Sequence, residues 1–471
     1  MKYLVLITGL FLNLNLFSQT ESETYVWPAD PLIKENLSKW QDQKFGIMIS
    51  WGLYSQKGIL ESWGLCPEDA DWIGRNGYKD YSEYATDYRN TRFQFNPANF
   101  DPQKWAKTMK AGGAKYMIFI TKHHDGFCMF DSKFTDFKIT SKEVPFSVNP
   151  KANIASEIFT AFRNEGLSVG AYFSKPDWSN PGFWWPYFPP KDRNPNYDIT
   201  KHPDQWKKYV DYTQNQLNEL VSEYGKLDIL WLDGCWVRPL NTINKHVEEF
   251  CKYPYDMDID MKSITANARA KQPGILVVDR WVPGPYEDYL TPEQKTPEKA
   301  LPVPWESCIT LGTNWGWTPS ENYKSTRDII HLLVNIVSKG GNLLLGIGPD
   351  GKGDFAPEVY DRISGIGKWL EANGDAIYGT RPVEPFQEGA LCYTSKGNTT
   401  YVIYLVGKDE KIFPSELKVK SELKGKLKIF LPLLQKTLKY KQEDGEIVIS
   451  IPEKERKRLA EEYAVVIKIS E

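Results

Sequence analysis

The run Leu227–Asp233 (LDILWLD) is mostly apolar and ends in an aspartate, followed by Gly234 and flanked by Trp231 and Trp236. An acid at that point could cap a following helix, but two flanking tryptophans have no part in capping. The next apolar run, Ile275–Arg280 (ILVVDR), leads into Trp281 and a loop carrying Glu287, Asp288 and Glu293. Two carboxylates facing each other across a cleft are the equipment for breaking a glycosidic bond, one as nucleophile and one as general acid/base. Asp233 fits the first role. Glu287, Asp288 and Glu293 compete for the second, and most such loop acids must be ordinary solvated charge. Glu306 is a fourth candidate, ranked lower because it lies early in its own apolar run.

Two of the five histidines, His123 and His124, are adjacent in Thr121–Phe127 (TKHHDGF). Neighbours on an extended segment point to opposite sides, which argues against a two-histidine metal site. Hydrogen bonding to a polyhydroxylated ligand fits better, because neutral imidazole offers one donor and one acceptor. A buried histidine satisfied by backbone would account for one of them equally well. Aromatic residues make up 14% of the chain, with 17 Trp, 26 Tyr and 22 Phe. Flat rings suit sugar faces, although a large aromatic core would use the same residues.

These residues need elements to hold them. Apolar runs recur at Phe45–Trp51, Lys115–Thr121, Ser168–Ser174, Leu227–Asp233, Ile275–Arg280, Trp305–Thr310 and Asn342–Gly346. Continuous rather than alternating apolarity marks strands buried on both faces. Helical patterns intervene at Pro102–Ala111, Asn153–Glu165, Asp204–Tyr224 and Thr326–Lys339. Strand–helix alternation over this length predicts a (β/α)8-like barrel with its chemistry at the C-terminal strand ends. A doubly wound sheet would more often announce a nucleotide with a Gly-rich first turn, and no GxGxxG or Walker motif follows the first apolar run. Beyond Thr380 only strand signals remain, several alternating as in Leu417-Lys418-Val419-Lys420. They predict an antiparallel β-sandwich. The expected division is 25–381 for the barrel and 382–471 for the sandwich.

The formal charge of -3, from 58 basic and 61 acidic residues, leaves no basic excess for nucleic acid. The six cysteines contain no CxxC pair, which argues against a cysteine-built zinc site. Residues 1–18 carry one lysine, a short apolar run and a small residue at the end, the pattern of a secretory signal peptide. Cleavage is expected near Ser18, with export to the periplasm or medium. No stretch reaches the ~20 apolar residues of a membrane span.

Taken in order, KFGIMISWGLYS, TKHHDGF, LDILWLDG, DRW, TPEQ, WESCITLGTNWGW and GGNLLLGIGPDGKG resemble the motif set of the α-L-fucosidases of glycoside hydrolase family 29. The resemblance implies retaining hydrolysis of terminal α-L-fucose, with Asp233 as nucleophile and Glu293, in Thr291-Pro292-Glu293, as acid/base. Glu287 is the reserve. It further implies sugar contacts from His123, His124, Trp231, Arg280 and an aromatic at the third strand's end, Tyr172 or Phe173. Trp72, in Asp71-Trp72-Ile73, resembles a tryptophan that covers the sugar, and Trp236 adjoins the nucleophile. No metal or cofactor is required. Ser50 stands where the family usually has a histidine that contacts the ring. The shorter side chain suggests weaker activity, space for a different α-L-sugar such as L-galactose, or a carbohydrate-binding protein with weakened catalysis. Trp178, Phe183, Trp184, Trp185, Tyr187 and Phe188 form a candidate wall for the leaving-group sugar, with a self-packed loop as the equal alternative.

Overall fold

The computed structural model describes residues 24–69, 75, 77–243, 253–420, 425–443 and 445–471. The proposed signal peptide and Trp72 lie outside the described residues. Seven strands form one parallel sheet: β1 (Phe45–Ile49), β2 (Tyr116–Lys122), β3 (Ser168–Ser174), β4 (Ile229–Asp233), β5 (Leu276–Asp279), β6 (Glu306–Thr310) and β7 (Asn342–Ile347). They run in the order β5-β4-β3-β2-β1-β7-β6. Each lies on one of the apolar runs picked out in the sequence.

Both faces are buried, and alternate residues divide between them. Met48, Ile118, Tyr172, Ile229, Trp231, Val278 and Leu344 pack inside the curled sheet. Ile47, Phe119, Phe173, Leu230, Val277 and Leu345 face the outer layer of helices. This parity places functional side chains. Asp233 shares the inward face with Trp231, and Ser174 is its register partner on β3. A register shift between Ile120 and Lys122 interrupts the alternation. Lys122 therefore turns outward to an ion pair with Asp177, both fully buried, at 3.2 Å.

β5 and β6 do not pair directly. The segment 286–294 is inserted between them. Toward β5, Asp288 N donates to Val277 O at 2.9 Å and Asp279 N donates to Tyr286 O at 2.8 Å. Toward β6, Glu306 N donates to Leu290 O at 2.8 Å and Cys308 N to Pro292 O at 3.1 Å. The loop read from sequence as merely acidic is thus the closing stave of the barrel. The Asp288 carboxylate holds it down, accepting from Val277 N at 2.7 Å and from Arg269 Nη2 at 2.9 Å and 3.0 Å.

The sequence-predicted helices appear at Pro102–Ala111, Ile154–Asn164, Pro203–Glu223 and Thr326–Ser338. Among the described residues, four more helices of ten residues or longer, not anticipated, cover Pro31–Gln43, Tyr81–Asn90, Met261–Lys271 and Pro357–Asn373. Helix Pro31–Gln43 buries only Ile33, Leu37 and Trp40, too narrow a stripe to stand out in a polar stretch. Its Trp40 stacks on Tyr289 at 3.9 Å and plugs the barrel interior.

Beyond the barrel lie a six-stranded sheet, β13-β12-β16-β10-β9-β8, and a three-stranded sheet, β11-β15-β14. The strands are β8 (Arg381–Glu388), β9 (Leu391–Lys396), β10 (Thr399–Leu405), β11 (Glu416–Lys420), β12 (Lys428–Leu431), β13 (Lys436–Thr437), β14 (Lys439–Glu443), β15 (Glu446–Ser450) and β16 (Ala464–Ser470). All pairs are antiparallel, and the two sheets share a core that includes Val402, Ile429 and Ile467 with Val419 and Ile449. This unit is latched to the helices. Arg327 Nη1 donates to Val406 O at 2.7 Å, His331 Nε2 to Tyr463 O at 2.8 Å, and Trp369 Nε1 to Ala464 O at 3.0 Å.

Asp288→Ala should open the closing stave. Losing one partner of a buried ion pair is expected to cost about 3–5 kcal/mol. A lower midpoint in urea denaturation, with unchanged slope, is the readout.

Candidate active site

A cavity of about 260 Å3 opens among the C-terminal ends of the strands. Asp233, Glu293, Arg280, His123, His124, Tyr172, Trp231 and Trp236 all line it. At its centre one guanidinium serves two carboxylates. Arg280 Nη1 donates to Asp233 Oδ1 at 3.0 Å, and Nη2 donates to Glu293 Oε2. The Arg280 guanidinium carbon lies 4.2 Å from the Trp281 ring centroid and 5.1 Å from that of Trp231. Indole faces attract a cation and exclude water from it.

Asp233 also accepts from Tyr172 Oη at 2.7 Å on Oδ2. Burial alone would raise its pKa, but Arg280 first, then His124, Tyr172 and the Gly234 backbone outweigh it. The net effect holds the carboxyl well below the usual carboxylate range. Asp233 is therefore ionised at neutral pH. Glu293 Oε1 accepts from Trp315 Nε1 at 3.0 Å. Glu293 stands on the closing stave beside Cys308, to which it is bridged in parallel register.

The competing acids fall elsewhere. Glu287 is buried outside the cavity and accepts from Trp281 N at 2.8 Å. Trp281 has φ +59°, and Arg238 Nη1 fixes its carbonyl at 2.9 Å. A non-glycine left-handed residue costs about 1–3 kcal/mol and persists where its surroundings impose it. Glu287 thus holds Trp281 over Arg280 and does not face the cavity. Asp288 anchors the stave. Glu306 lies in the barrel interior, accepting from Tyr116 Oη at 2.6 Å and from Trp231 Nε1 at 3.3 Å. It supports the Trp231 ring from behind.

Each histidine has one nitrogen engaged by a serine. His123 Nδ1 bonds Ser62 Oγ, and His124 Nδ1 bonds Ser174 Oγ. The Ser174 hydroxyl spends its single hydrogen on Pro176 O at 3.1 Å. His124 Nδ1 must then be the donor, which leaves Nε2 as an acceptor 3.8 Å from Asp233 Oδ2. A sugar hydroxyl that donates to Nε2 would sit beside Asp233. Burial, and then the His123 ring, lower the His124 pKa well below the ordinary imidazole value. Burial likewise lowers His123 to about 4, against the pull of Asp233. Both rings are neutral at neutral pH.

Several sequence assignments land differently. Ser50 is fully buried but does not line the cavity. Its hydroxyl meets Tyr54 Oη at 3.1 Å, so the space beside the short side chain is filled by a phenol. Phe173 faces the helix layer, with Lys122 Nζ 4.1 Å from its ring centroid, and Tyr172 is the inward member of the pair. The aromatic loop is mostly self-packed, since Trp178, Phe183 and Trp184 are buried. The cavity also takes residues that were not singled out: Met48, Trp63, Ile120, Arg193, Cys235, Trp281 and Trp315. Trp63 packs 4.9 Å from His124. Trp315 lies within the WESCITLGTNWGW motif, and its position after β6 could have marked it.

The chain can now be set beside known proteins. The family model for α-L-fucosidase matches residues 12–375. The chain belongs to the α-L-fucosidase family. It is a glycoside hydrolase. An α-L-fucosidase of Branchiostoma floridae is 30% identical over 421 residues, covering 84% of this chain and 85% of the relative. The structure of α-L-fucosidase isoenzyme 1 of Paenibacillus thiaminolyticus is 29% identical, with a TM-score of 0.73, and covers 93% of this chain and 99% of its own. The Thermotoga maritima α-fucosidase structure in complex with fucose is 29% identical, with a TM-score of 0.70, covering 93% and 98%.

Burial raises the Glu306 carboxyl to about 8, against the lowering effect of its two donors and Arg280. A raised carboxyl contributes stability that is full below its unfolded value and is lost as pH rises through the folded value. Glu306→Gln does not titrate. Its stability relative to the parent enzyme should therefore improve between about pH 5 and pH 8. Denaturation midpoints of both proteins across that range check this.

Proposed function

We propose that the enzyme is exported and releases terminal α-L-fucosyl residues from glycans by retaining double displacement. The observation that carries this reading is the pair of carboxylates joined through Arg280 in a cavity suited to one sugar ring. Asp233, ionised, attacks the anomeric carbon. Glu293 enters the first step protonated and gives that proton to the departing oxygen, and the resulting carboxylate then takes a proton from the attacking water. Retaining enzymes keep the two carboxyls ~5–5.5 Å apart, and sharing one guanidinium is compact enough for that spacing. In the glycosyl–enzyme intermediate Asp233 is esterified and its charge is lost. Arg280 then remains paired with Glu293.

The substrate reading has support in the wall. Met48, Ile120 and Trp315 give the cavity an apolar side. A methyl at C6, as in fucose, can lie against carbon, whereas a hydroxymethyl would bury a hydroxyl there at a cost of about 1–3 kcal/mol if unpaired. With Tyr54 against Ser50, fucose is favoured over L-galactose. The fucose complex of the Thermotoga relative is in keeping with this. Export rests on the composition of residues 1–18. N-terminal sequencing of protein recovered from the cell exterior tests it.

Asp233→Ala should reduce hydrolysis of 4-nitrophenyl α-L-fucoside at least 10^4-fold, in the range seen when a catalytic residue of a covalent mechanism is removed. Glu293→Ala should retain far more activity on this substrate, whose leaving group needs no proton, than on an alkyl fucoside. NMR of the first product formed should show the α-anomer. A β-anomer would sink the double displacement.

A further inference from the structure

The loop that follows β3 has two halves with opposite characters. The inner half is packed into the pocket wall. Trp178 lies 5.1 Å from His124 and stacks on Trp184 at 5.3 Å with the planes 9° apart. Trp184 Nε1 donates to Asn194 O at 2.9 Å, and Trp236 Nε1 donates to Arg193 O at 3.1 Å. The outer half turns its rings out. Tyr187 is 82% exposed and Phe188 42% exposed. With the half-buried Trp185 they form a cluster with ring centroids 5.8 Å, 5.8 Å and 6.1 Å apart.

This cluster is built rather than loose. Asn196 Oδ1 accepts from Trp185 N at 2.7 Å, and its Nδ2 donates to Trp185 O at 2.9 Å and Phe188 O at 2.6 Å. The Trp185 ring is buttressed by His202 at 5.0 Å and Tyr197 at 5.6 Å. Pro186, Pro189 and Pro190 restrict the backbone on either side. The sequence thus fixes the geometry of two large rings that face water. Such preorganisation contributes to binding because little freedom is lost when a ligand arrives.

We propose that Tyr187 and Phe188 form a stacking platform for a hexopyranose of the leaving-group glycan, outside the fucose pocket. The inference rests on the fucosidase reading above. Aromatic faces pair with the C–H face of a pyranose. The platform is continuous with the pocket wall through Trp184, Asn194 and Arg193, and it belongs to a loop at the C-terminal end of the barrel, where substrate enters. A glycan chain leaving the pocket on this side meets these rings. The pocket itself accounts for the terminal sugar, and the platform adds a preference for extended substrates.

The test compares the parent enzyme with the Tyr187→Ala/Phe188→Ala double variant on two substrates, 4-nitrophenyl α-L-fucoside and a fucosylated hexasaccharide. Both positions are exposed, and a matched melting temperature checks that the fold is kept. KM for the hexasaccharide should rise about 3- to 10-fold, with its kcat and both constants for the aryl fucoside unchanged. Equal KM values for the hexasaccharide in the two proteins would overturn the platform. So would a parallel loss on both substrates, which would make the rings part of the pocket's support. A change of oligomeric state in the double variant would assign them to a contact between copies and overturn it too. Failure of the fucosidase reading would show separately, as a parent enzyme inactive on both substrates.

Discussion

The site depends on one shared cation. Two carboxylates brought into a partly buried cavity repel each other and lose hydration, and either effect would push them apart or neutralise them. Arg280 removes both difficulties with a single planar group whose two outer nitrogens reach Asp233 and Glu293 separately. A lysine would bring the two carboxylates to one nitrogen, whereas the guanidinium fork holds them on separate ones. The surroundings are arranged to keep that guanidinium in place. The rings of Trp231 and Trp281 both lie against it, and each residue is itself held by a buried glutamate.

Glu306 and Glu287 therefore belong to the site without facing the substrate. Burial raises both carboxyls, Glu306 to about 8, which favours their neutral form inside the barrel wall. Adding two more negative charges near Arg280 would have competed with Asp233 and Glu293 for it. Neutral acids accept hydrogen bonds from indole and backbone without that competition. Four acids are thus sorted by environment into two that face the cavity and two that brace it.

Much of this was legible because strand parity transmits position. Once Leu227–Asp233 is a strand buried on both faces, Trp231 and Asp233 must share a side, and Arg280 follows from the same alternation on β5. The paired histidines and Asp233 stand at such strand ends or just after them, whereas Glu293 was legible only through the family resemblance. Residues delivered by loops were not legible. Trp63 and Arg193 reach the cavity only through packing, and no local spacing announces them. Lys122 is misplaced by simple alternation because the irregularity at Ile120 flips it toward Asp177. The helices Pro31–Gln43 and Met261–Lys271 escaped notice because each buries only three or four side chains. The closing stave escaped because it has no apolar run of its own, and its register comes from its neighbours.

That stave gives the enzyme a seam. Everywhere else the barrel wall is a named strand paired along its length, but between β5 and β6 it is an irregular segment pinned by a few backbone bonds and two ion pairs. Glu293 is mounted on it, while Asp233 is mounted on a regular strand. Heating should therefore loosen Glu293 before it loosens Asp233. Inactivation would then begin as a local misalignment of the two carboxyl groups, in molecules whose barrel and sandwich are still folded, and would reverse on cooling.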